Sequence, residues 1–211
     1  VMGSPEGSDL MNLAIASKLG AVVVSVDYRL APENCIPAPL DDCYAGLAWL
    51  YDHASDYKVD TNRIGVGGES AGGGLAAALA IKARDAGEYS LCHQHLTYPM
   101  LDNLTGSESC PGDPFVGEFV WTRERNLFGW QSYLGDALAE APQVPARVTD
   151  FSGLPPTWMM TASLDLFRDE NIAYAQGLLA AGIPAELVPT GDSALVVLDA
   201  TIHSDHRAGG D

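Results

Sequence analysis

The chain has 211 residues, of which 47% are hydrophobic and 18% charged, so its composition predicts one globular domain with a sizeable core and argues against disorder. Its 28 acidic and 11 basic residues give a net charge of −17, which argues against nucleic acid or an anionic membrane surface as a partner, because both select positive charge. No apolar stretch is long enough to cross a bilayer, and we expect no membrane span.

The four cysteines show no C-x-x-C pair and no regular spacing. We interpret them as reduced, mostly buried thiols of a cytoplasmic protein. They are Cys35, Cys43, Cys92 and Cys110.

Helix-like and strand-like segments alternate from the start of the chain. Residues 9–19 carry apolar side chains at helical spacing, and Gly20 is a typical residue after a helix end. Residues 21–26 form a run rich in valine, which predicts a strand covered on both faces. A helix with one apolar side is predicted over residues 41–53.

The centre of the chain continues this alternation. A short strand over residues 64–68 runs into a glycine turn, and an Ala/Leu-rich helix is predicted over residues 71–86. Further strands are predicted over residues 96–100 and 157–162.

The last predicted elements are a helix over residues 169–181 and a strand over residues 185–188. Strands that alternate with helices predict an α/β fold with a doubly wound, mainly parallel sheet, in one domain over residues 1–211. Residues 101–154 break the rhythm, are rich in Gly and Pro, and hold one predicted helix over residues 123–134. We interpret this segment as an insertion over the active edge of the sheet.

The stretch Gly68-Glu69-Ser70-Ala71-Gly72 has the form G-x-S-x-G between a predicted strand and a predicted helix. Such a turn holds the serine hydroxyl clear of the sheet, and the glycines leave room for the turn and for the approach of helix to strand. The N–H of Ala71 would then bind a developing oxyanion. We interpret Ser70 as a catalytic nucleophile. The alternative is a glycine-rich junction at which Ser70 caps the helix; a phosphate loop is disfavoured, because no lysine follows the glycines.

A serine nucleophile needs a base, and the base needs a carboxylate that orients it. Asp165 follows the predicted strand at residues 157–162, where the carboxyl end of the sheet would place it, so it is the best candidate for the acid. Its neighbour Asp169 is interpreted as a charge at the start of the next helix.

Five segments of the chain match one known pattern: Val26-Asp27-Tyr28-Arg29-Leu30-Ala31-Pro32-Glu33, Asp41-Asp42 with Tyr44, Gly67-Gly68-Glu69-Ser70-Ala71-Gly72-Gly73, Tyr98-Pro99-Met100-Leu101-Asp102 and Leu164-Asp165-Leu166-Phe167-Arg168-Asp169-Glu170. In these segments the chain resembles the bacterial hormone-sensitive-lipase family of α/β-hydrolase carboxylesterases. The resemblance implies hydrolysis of short acyl esters through an acyl-enzyme, without a metal or an organic cofactor. It also implies Ser70 as the nucleophile, Asp165 as the residue that orients the histidine, and a small-molecule ester as the partner; a homodimer is left open.

Two features depart from the family pattern. The family carries a His-Gly-Gly-Gly oxyanion loop just before a segment like residues 1–9, and the present chain begins after that point. We therefore expect a sheet that is incomplete at the N-terminus and a chain that folds poorly alone. The family's catalytic histidine follows the last strand, whereas the corresponding residues 189–195 contain none. Whether His203 or His206 replaces it is left open.

Three hypotheses remain for the function. The first is a serine carboxylesterase, whose catalysis in this chain would be weak or absent without the histidine. The second is a non-catalytic small-molecule binder on the same scaffold, and the third is a gene remnant.

Two weaker clusters are interpreted as structural. Cys92, His93 and His95 are read as ordinary loop and strand-edge residues, because a metal site needs further ligands. Four aromatic residues of the inserted segment either line an acyl pocket or pack the segment, and packing is favoured; they are Trp121, Phe128, Trp130 and Tyr133.

Overall fold

Four short strands form one parallel sheet in a computed structural model that describes residues 1–190. The strands lie side by side in chain order, with every neighbouring pair parallel, so the sheet is an α/β sheet as predicted. They are β1 (Gly65–Glu69), β2 (His93–Thr97), β3 (Thr157–Ala162) and β4 (Ala185–Thr190).

Local end signals set the bounds of the helices. Glycines with positive φ follow two of them, at Gly20 (φ +60°) and Gly87 (φ +68°), and the Thr122 hydroxyl accepts a hydrogen bond from the Arg125 N–H at the start of a third. The α-helices are α1 (Asp9–Leu19), α2 (Ala38–Asp52), α3 (Ala71–Ala86), α4 (Arg123–Leu134) and α5 (Arg168–Ala180). Three short 3₁₀ turns lie at Pro5–Ser8, Thr61–Arg63 and Pro145–Arg147.

The main core lies on one face of the sheet. Leu96 of β2 and Met159 of β3 are fully buried there, packed against Ala77 and Ile81 of α3 and Leu178 of α5. The helix α2 packs behind α3 in a second cluster of buried side chains. Because α3 follows β1 and α5 follows β3, this packing fixes the two loops in which Ser70 and Asp165 lie.

The opposite face of the sheet carries larger polar and aromatic side chains. His95 of β2 stands beside Trp158 of β3 in the strand register, and their rings stack with centroids 4.3 Å apart. A groove lined by His93, His95 and Trp158 opens at the amino ends of β3 and β4. This is the end of the sheet away from Ser70.

The predicted strand at residues 21–26 is wrong. These residues form no strand, and most of them are exposed, although Val26 packs against α2. A strand needs a neighbour that pairs its backbone groups, and no part of residues 1–190 pairs with this run. Its valine-rich composition therefore favours a strand, but no neighbouring strand within residues 1–190 pairs with it.

The second strand is shifted from its prediction at residues 96–100. Its ladder already begins at His93, since the Cys92 N–H donates to the Ile64 carbonyl just before it. The strand ends at Thr97, because Tyr98 has φ +36° and Pro99 lacks an N–H.

Both ends of the inserted segment, residues 101–154, are tied to helices of the core. At its start the Leu101 N–H donates to the Glu170 carboxyl of α5 over 2.6 Å. Near its end the Arg84 guanidinium of α3 donates to the carbonyls of Asp150 and Ser152 over 2.5 and 3.2 Å. Its position over the active edge stays a prediction.

The cysteines differ in burial, so the expectation of mostly buried thiols is wrong. All four are free, but only Cys43 is buried. Within residues 1–190 no helix has the length and apolarity that a membrane span requires.

Candidate active site

The backbone of Ser70 is strained. It lies between β1 and α3 with φ +50° and ψ −118°, and within residues 1–190 only Lys58, Ser70 and Tyr98 have positive φ among non-glycine residues. Such a conformation costs on the order of 1–3 kcal/mol and persists only where neighbouring groups hold it. A sharp turn of this kind between strand and helix is the geometry that the G-x-S-x-G pattern predicts.

The glycines around Ser70 have different roles. A Cβ on Gly68 would lie less than 3.0 Å from backbone atoms of Gly72 and Gly73, and one on Gly74 would overlap the Met100 carbonyl. A Cβ on Gly72 would meet nothing within 4 Å. The expectation that both outer glycines of the pattern relieve crowding is therefore correct for Gly68 and wrong for Gly72. Close packing of the helix on its surroundings depends instead on Gly73 and Gly74.

The exit of the neighbouring strand holds the Ser70 backbone on both sides. The Ser70 N–H donates to the Thr97 carbonyl, and the Met100 N–H donates to the Ser70 carbonyl, each over 2.9 Å. We call residues 98–102, which leave β2 and pass beside Ser70, the β2 exit segment. Tyr98 starts this segment and ties it to β3, because its N–H donates to the Met160 carbonyl over 2.7 Å.

The Ser70 side chain is half-buried, and its hydroxyl makes no hydrogen bond to any residue from 1 to 190. Ala71 is the first residue of α3, so its N–H is one of the donors that no preceding helical turn pairs. The positive end of the helix dipole lies at the same place. The predicted nucleophile and the predicted oxyanion donor thus lie on consecutive residues at one helix N-terminus.

Asp165 lies in the loop between β3 and α5, at the same edge of the sheet as Ser70. One of its oxygens accepts a hydrogen bond from the Phe167 N–H over 2.8 Å. Burial raises the pKa of the carboxyl, and the Phe167 N–H opposes this by stabilising the charged form. The loop that holds Asp165 is also fixed from the inserted segment, since Arg168 pairs with Asp113 over 3.1 Å.

No hydrogen bond joins Ser70 and Asp165 among the described residues. They follow β1 and β3, and strands are spaced about 4.8 Å apart, so the two loops lie roughly 10 Å from one another with β2 between them. A hydrogen-bonded relay between them needs a further group. The position expected for this group follows Thr190 at the end of β4, so it lies outside the described residues. His203 and His206 lie outside them as well.

Tyr98 and Glu69 add a polar contact that the sequence alone did not predict. The Tyr98 hydroxyl donates to a Glu69 carboxylate oxygen over 3.1 Å. Burial, followed by the nearby charges of Glu69 and Asp165, raises the pKa of Tyr98. Pro99 could have marked the end of the strand predicted over residues 96–100, but a positive φ at tyrosine has no signal in the sequence.

The weaker clusters differ in their relation to this edge: Trp121 and Trp130 pack in one cluster with Met100 of the β2 exit segment and Phe167 of the Asp165 loop, whereas the histidines lie toward the other end of the sheet. His93 and His95 lie on β2 with ring centroids 6.5 Å apart, and within residues 1–190 no group of three or more His, Cys, Asp or Glu side chains could hold a metal. In the inserted segment Trp130 is buried, as expected for packing. Phe128 is 60% exposed, so the packing interpretation is wrong for that residue.

These features define an α/β hydrolase, and the chain belongs to that family: the model of the alpha/beta hydrolase fold matches residues 1–194. The chain is 35% identical over 196 residues to the esterase LipI of Mycobacterium tuberculosis, covering 89% of this chain and 59% of LipI. It is 37% identical over 195 residues to the carboxylesterase NlhH of the same species, covering 88% of this chain and 59% of NlhH.

Among solved structures, a bacterial heroin esterase superposes with a TM-score of 0.84 at 42% identity, covering 95% of this chain and 66% of that one. These comparisons confirm the resemblance to bacterial esterases. The chain spans about three fifths of the length of the curated relatives that it matches.

Proposed function

We propose that this chain carries the nucleophile and the acid of a carboxylic ester hydrolase that cleaves short acyl esters through an acyl-enzyme. The single observation that carries the proposal is the strained Ser70 at the end of β1, with a hydroxyl that no residue from 1 to 190 binds and a helix N-terminus beside it. Similarity to LipI, NlhH and the heroin esterase supports the same chemistry.

In this mechanism the Ser70 oxygen attacks the acyl carbon of the ester. The N–H of Ala71 stabilises the oxyanion that develops on the carbonyl oxygen. The alcohol leaves with a proton, and water then hydrolyses the acyl-serine. Asp165 orients an imidazole that takes the proton from Ser70 and returns it to the alcohol. His203 and His206 are the candidates to supply it, because residues 189–195 contain no histidine.

We also propose a small-molecule ester as the partner and a cytoplasmic location. The four free thiols support the location, because disulfides are rare in reducing compartments.

The direct test is labelling of the 211-residue protein with a fluorophosphonate, followed by intact mass and peptide mapping. We expect an adduct on Ser70 and none in Ser70→Ala, with hydrolysis of a short-chain p-nitrophenyl ester that is slow unless His203 or His206 serves as the base. A folded protein, verified by circular dichroism, that forms no adduct would overturn the esterase proposal and favour the binder or the remnant. If an adduct forms, His203→Ala and His206→Ala each show whether that imidazole supplies the base.

A further inference from the structure

Two consecutive polar residues in the first turn of α5 are almost fully buried and have no part in the proposed chemistry. Glu170 is 8% exposed and Asn171 is 0% exposed. Buried polar side chains are costly unless hydrogen bonds satisfy them. The groups that Glu170 and Asn171 bind therefore indicate the structural role of these two residues.

Both residues bind the backbone of the β2 exit segment. The Asn171 side-chain amide donates to the Pro99 carbonyl over 2.7 Å. One Glu170 oxygen accepts from the N–H groups of Leu101 and Asp102, over 2.6 and 3.3 Å. The other Glu170 oxygen is bound to the Thr105 hydroxyl.

The same segment fixes Ser70. Met100, which lies between the anchored residues Pro99 and Leu101, donates its N–H to the Ser70 carbonyl. A Cβ on Gly73 of α3 would lie 3.0 Å from Pro99, so there is no slack between the segment and the helix that Ser70 begins. Contacts therefore run without a gap from α5 through the β2 exit segment to the strained serine.

We propose that Asn171 and Glu170 are positioning residues, which hold the β2 exit segment in place and through it maintain the strained backbone of Ser70. A strained conformation persists only when its surroundings over-determine it, and this clamp supplies that constraint. Because α5 also follows the loop of Asp165, one helical turn sets the positions of both candidate catalytic groups. The effect on reactivity rests on the proposed function, whereas the effect on the backbone does not.

The test compares Asn171→Leu with a matched control, Gln94→Leu. Gln94 is also 0% exposed and donates its side-chain amide to the Pro155 carbonyl over 3.4 Å and to the Thr157 hydroxyl over 2.7 Å, but it lies toward the amino end of β2. Leucine has as many side-chain heavy atoms as asparagine and one fewer than glutamine, and it removes the hydrogen bonds of both amides, so the control is at least as disruptive locally as the test variant. A loss of global stability that both variants share can thus be distinguished from a specific effect on Ser70.

The primary readout is hydrogen exchange of the Met100 and Ser70 amides, resolved by NMR and referred to the global unfolding rate of each variant. In Asn171→Leu we expect both amides to exchange about tenfold faster, because the Pro99 carbonyl loses its partner. In Gln94→Leu their exchange relative to global unfolding is unchanged. The proposal would be overturned if the Met100 amide were protected equally in Asn171→Leu and in the wild type. It would also be overturned if this amide lost protection equally in Asn171→Leu and Gln94→Leu.

Glu170 provides a rescue test. Glu170→Gln keeps an oxygen that accepts from Leu101 and Asp102, so its exchange rates should stay within about twofold of wild type, whereas Glu170→Leu should resemble Asn171→Leu. If Asn171→Leu does not fold, Thr105→Val removes only the hydroxyl bound to Glu170 and should still accelerate exchange at Leu101 and Met100. Unchanged exchange there would contradict the clamp.

Fluorophosphonate labelling of Ser70 is the second readout. We expect a labelling rate about tenfold lower in Asn171→Leu and close to wild type in Gln94→Leu. If the wild-type chain is not labelled, the proposed function fails, while amide exchange still decides whether Asn171 and Glu170 hold Ser70.

Discussion

The two outer glycines of the G-x-S-x-G turn should respond in opposite ways to the same substitution. Gly68→Ala places a Cβ against rigid backbone of Gly72 and Gly73, which must move by about 1 Å to accept it. Overpacking of this kind costs about 1–3 kcal/mol. Gly72→Ala meets nothing within 4 Å and lies in the first turn of α3, so it should gain about 0.5–1 kcal/mol from helix propensity.

The assay is urea unfolding followed by circular dichroism, with thermal melts in parallel. A loss of about 2 kcal/mol in Gly68→Ala corresponds to a Tm lower by roughly 4–8 °C for a chain of this size. Gly72→Ala serves as the control, since it makes the identical chemical change four residues away. If Gly68→Ala were as stable as Gly72→Ala, the close contact between β1 and α3 would not constrain the turn, and the reasoning would be refuted.

Three further predictions follow from burial, strain and charge. Trp130→Ala should lower the free energy of unfolding by about 3–5 kcal/mol, whereas Phe128→Ala on the same helix should change it by less than about 0.5 kcal/mol, measured by urea unfolding. Ser70→Gly should be more stable than Ser70→Ala by about 1 kcal/mol, because glycine relieves a positive φ that alanine keeps. Burial raises the pKa of Glu170 from the 4.5 of a free side chain to about 8. Between these values the folded state retains a proton that the unfolded state has released, so stability should fall as the pH rises from about 4.5 to about 8, by at most about 1.4 kcal/mol per pH unit. Glu170→Gln should flatten this slope.

Each of these predictions has a result that contradicts it. Equal losses at Trp130 and Phe128 would mean that the inserted segment packs differently. A Ser70→Gly variant no more stable than Ser70→Ala would show that the turn stores no strain. A pH slope that persists in Glu170→Gln would assign the titration to another carboxyl.

Local signals in the sequence were sufficient for much of the fold. The bounds predicted for α1, α3 and α4 agree with the structure, because a glycine or a threonine marks at least one end of each. The strand at Thr157–Ala162 was also predicted correctly. The run at residues 21–26 failed, since strand formation depends on a partner that composition cannot reveal.

Part of the candidate site could likewise be predicted from the sequence, and part of it could not. Ser70 could be found from sequence, because the G-x-S-x-G pattern stands between a predicted strand and a predicted helix, although only Gly68 of its two outer glycines is required by crowding. The clamp of Glu170 and Asn171 could not, because it joins residues about 70 positions apart through hydrogen bonds to backbone groups of Pro99, Leu101 and Asp102. Because backbone groups are present at every residue, hydrogen bonds to them leave no recognisable pattern in the amino-acid sequence.

The attachment of the inserted segment at both ends has a consequence for how such a protein diversifies. Leu101 is bound to α5 through Glu170, and Asp150 and Ser152 are bound to α3 through Arg84. Between these anchors the exposed stretches can change in length and sequence, whereas Thr105, Asp113 and Trp130 tie the interior of the segment to Glu170, to Arg168 and to the core. Evolution, or a protein engineer, can therefore vary the exposed parts of this segment as long as these interior contacts are kept, because they reach the loops of Ser70 and Asp165.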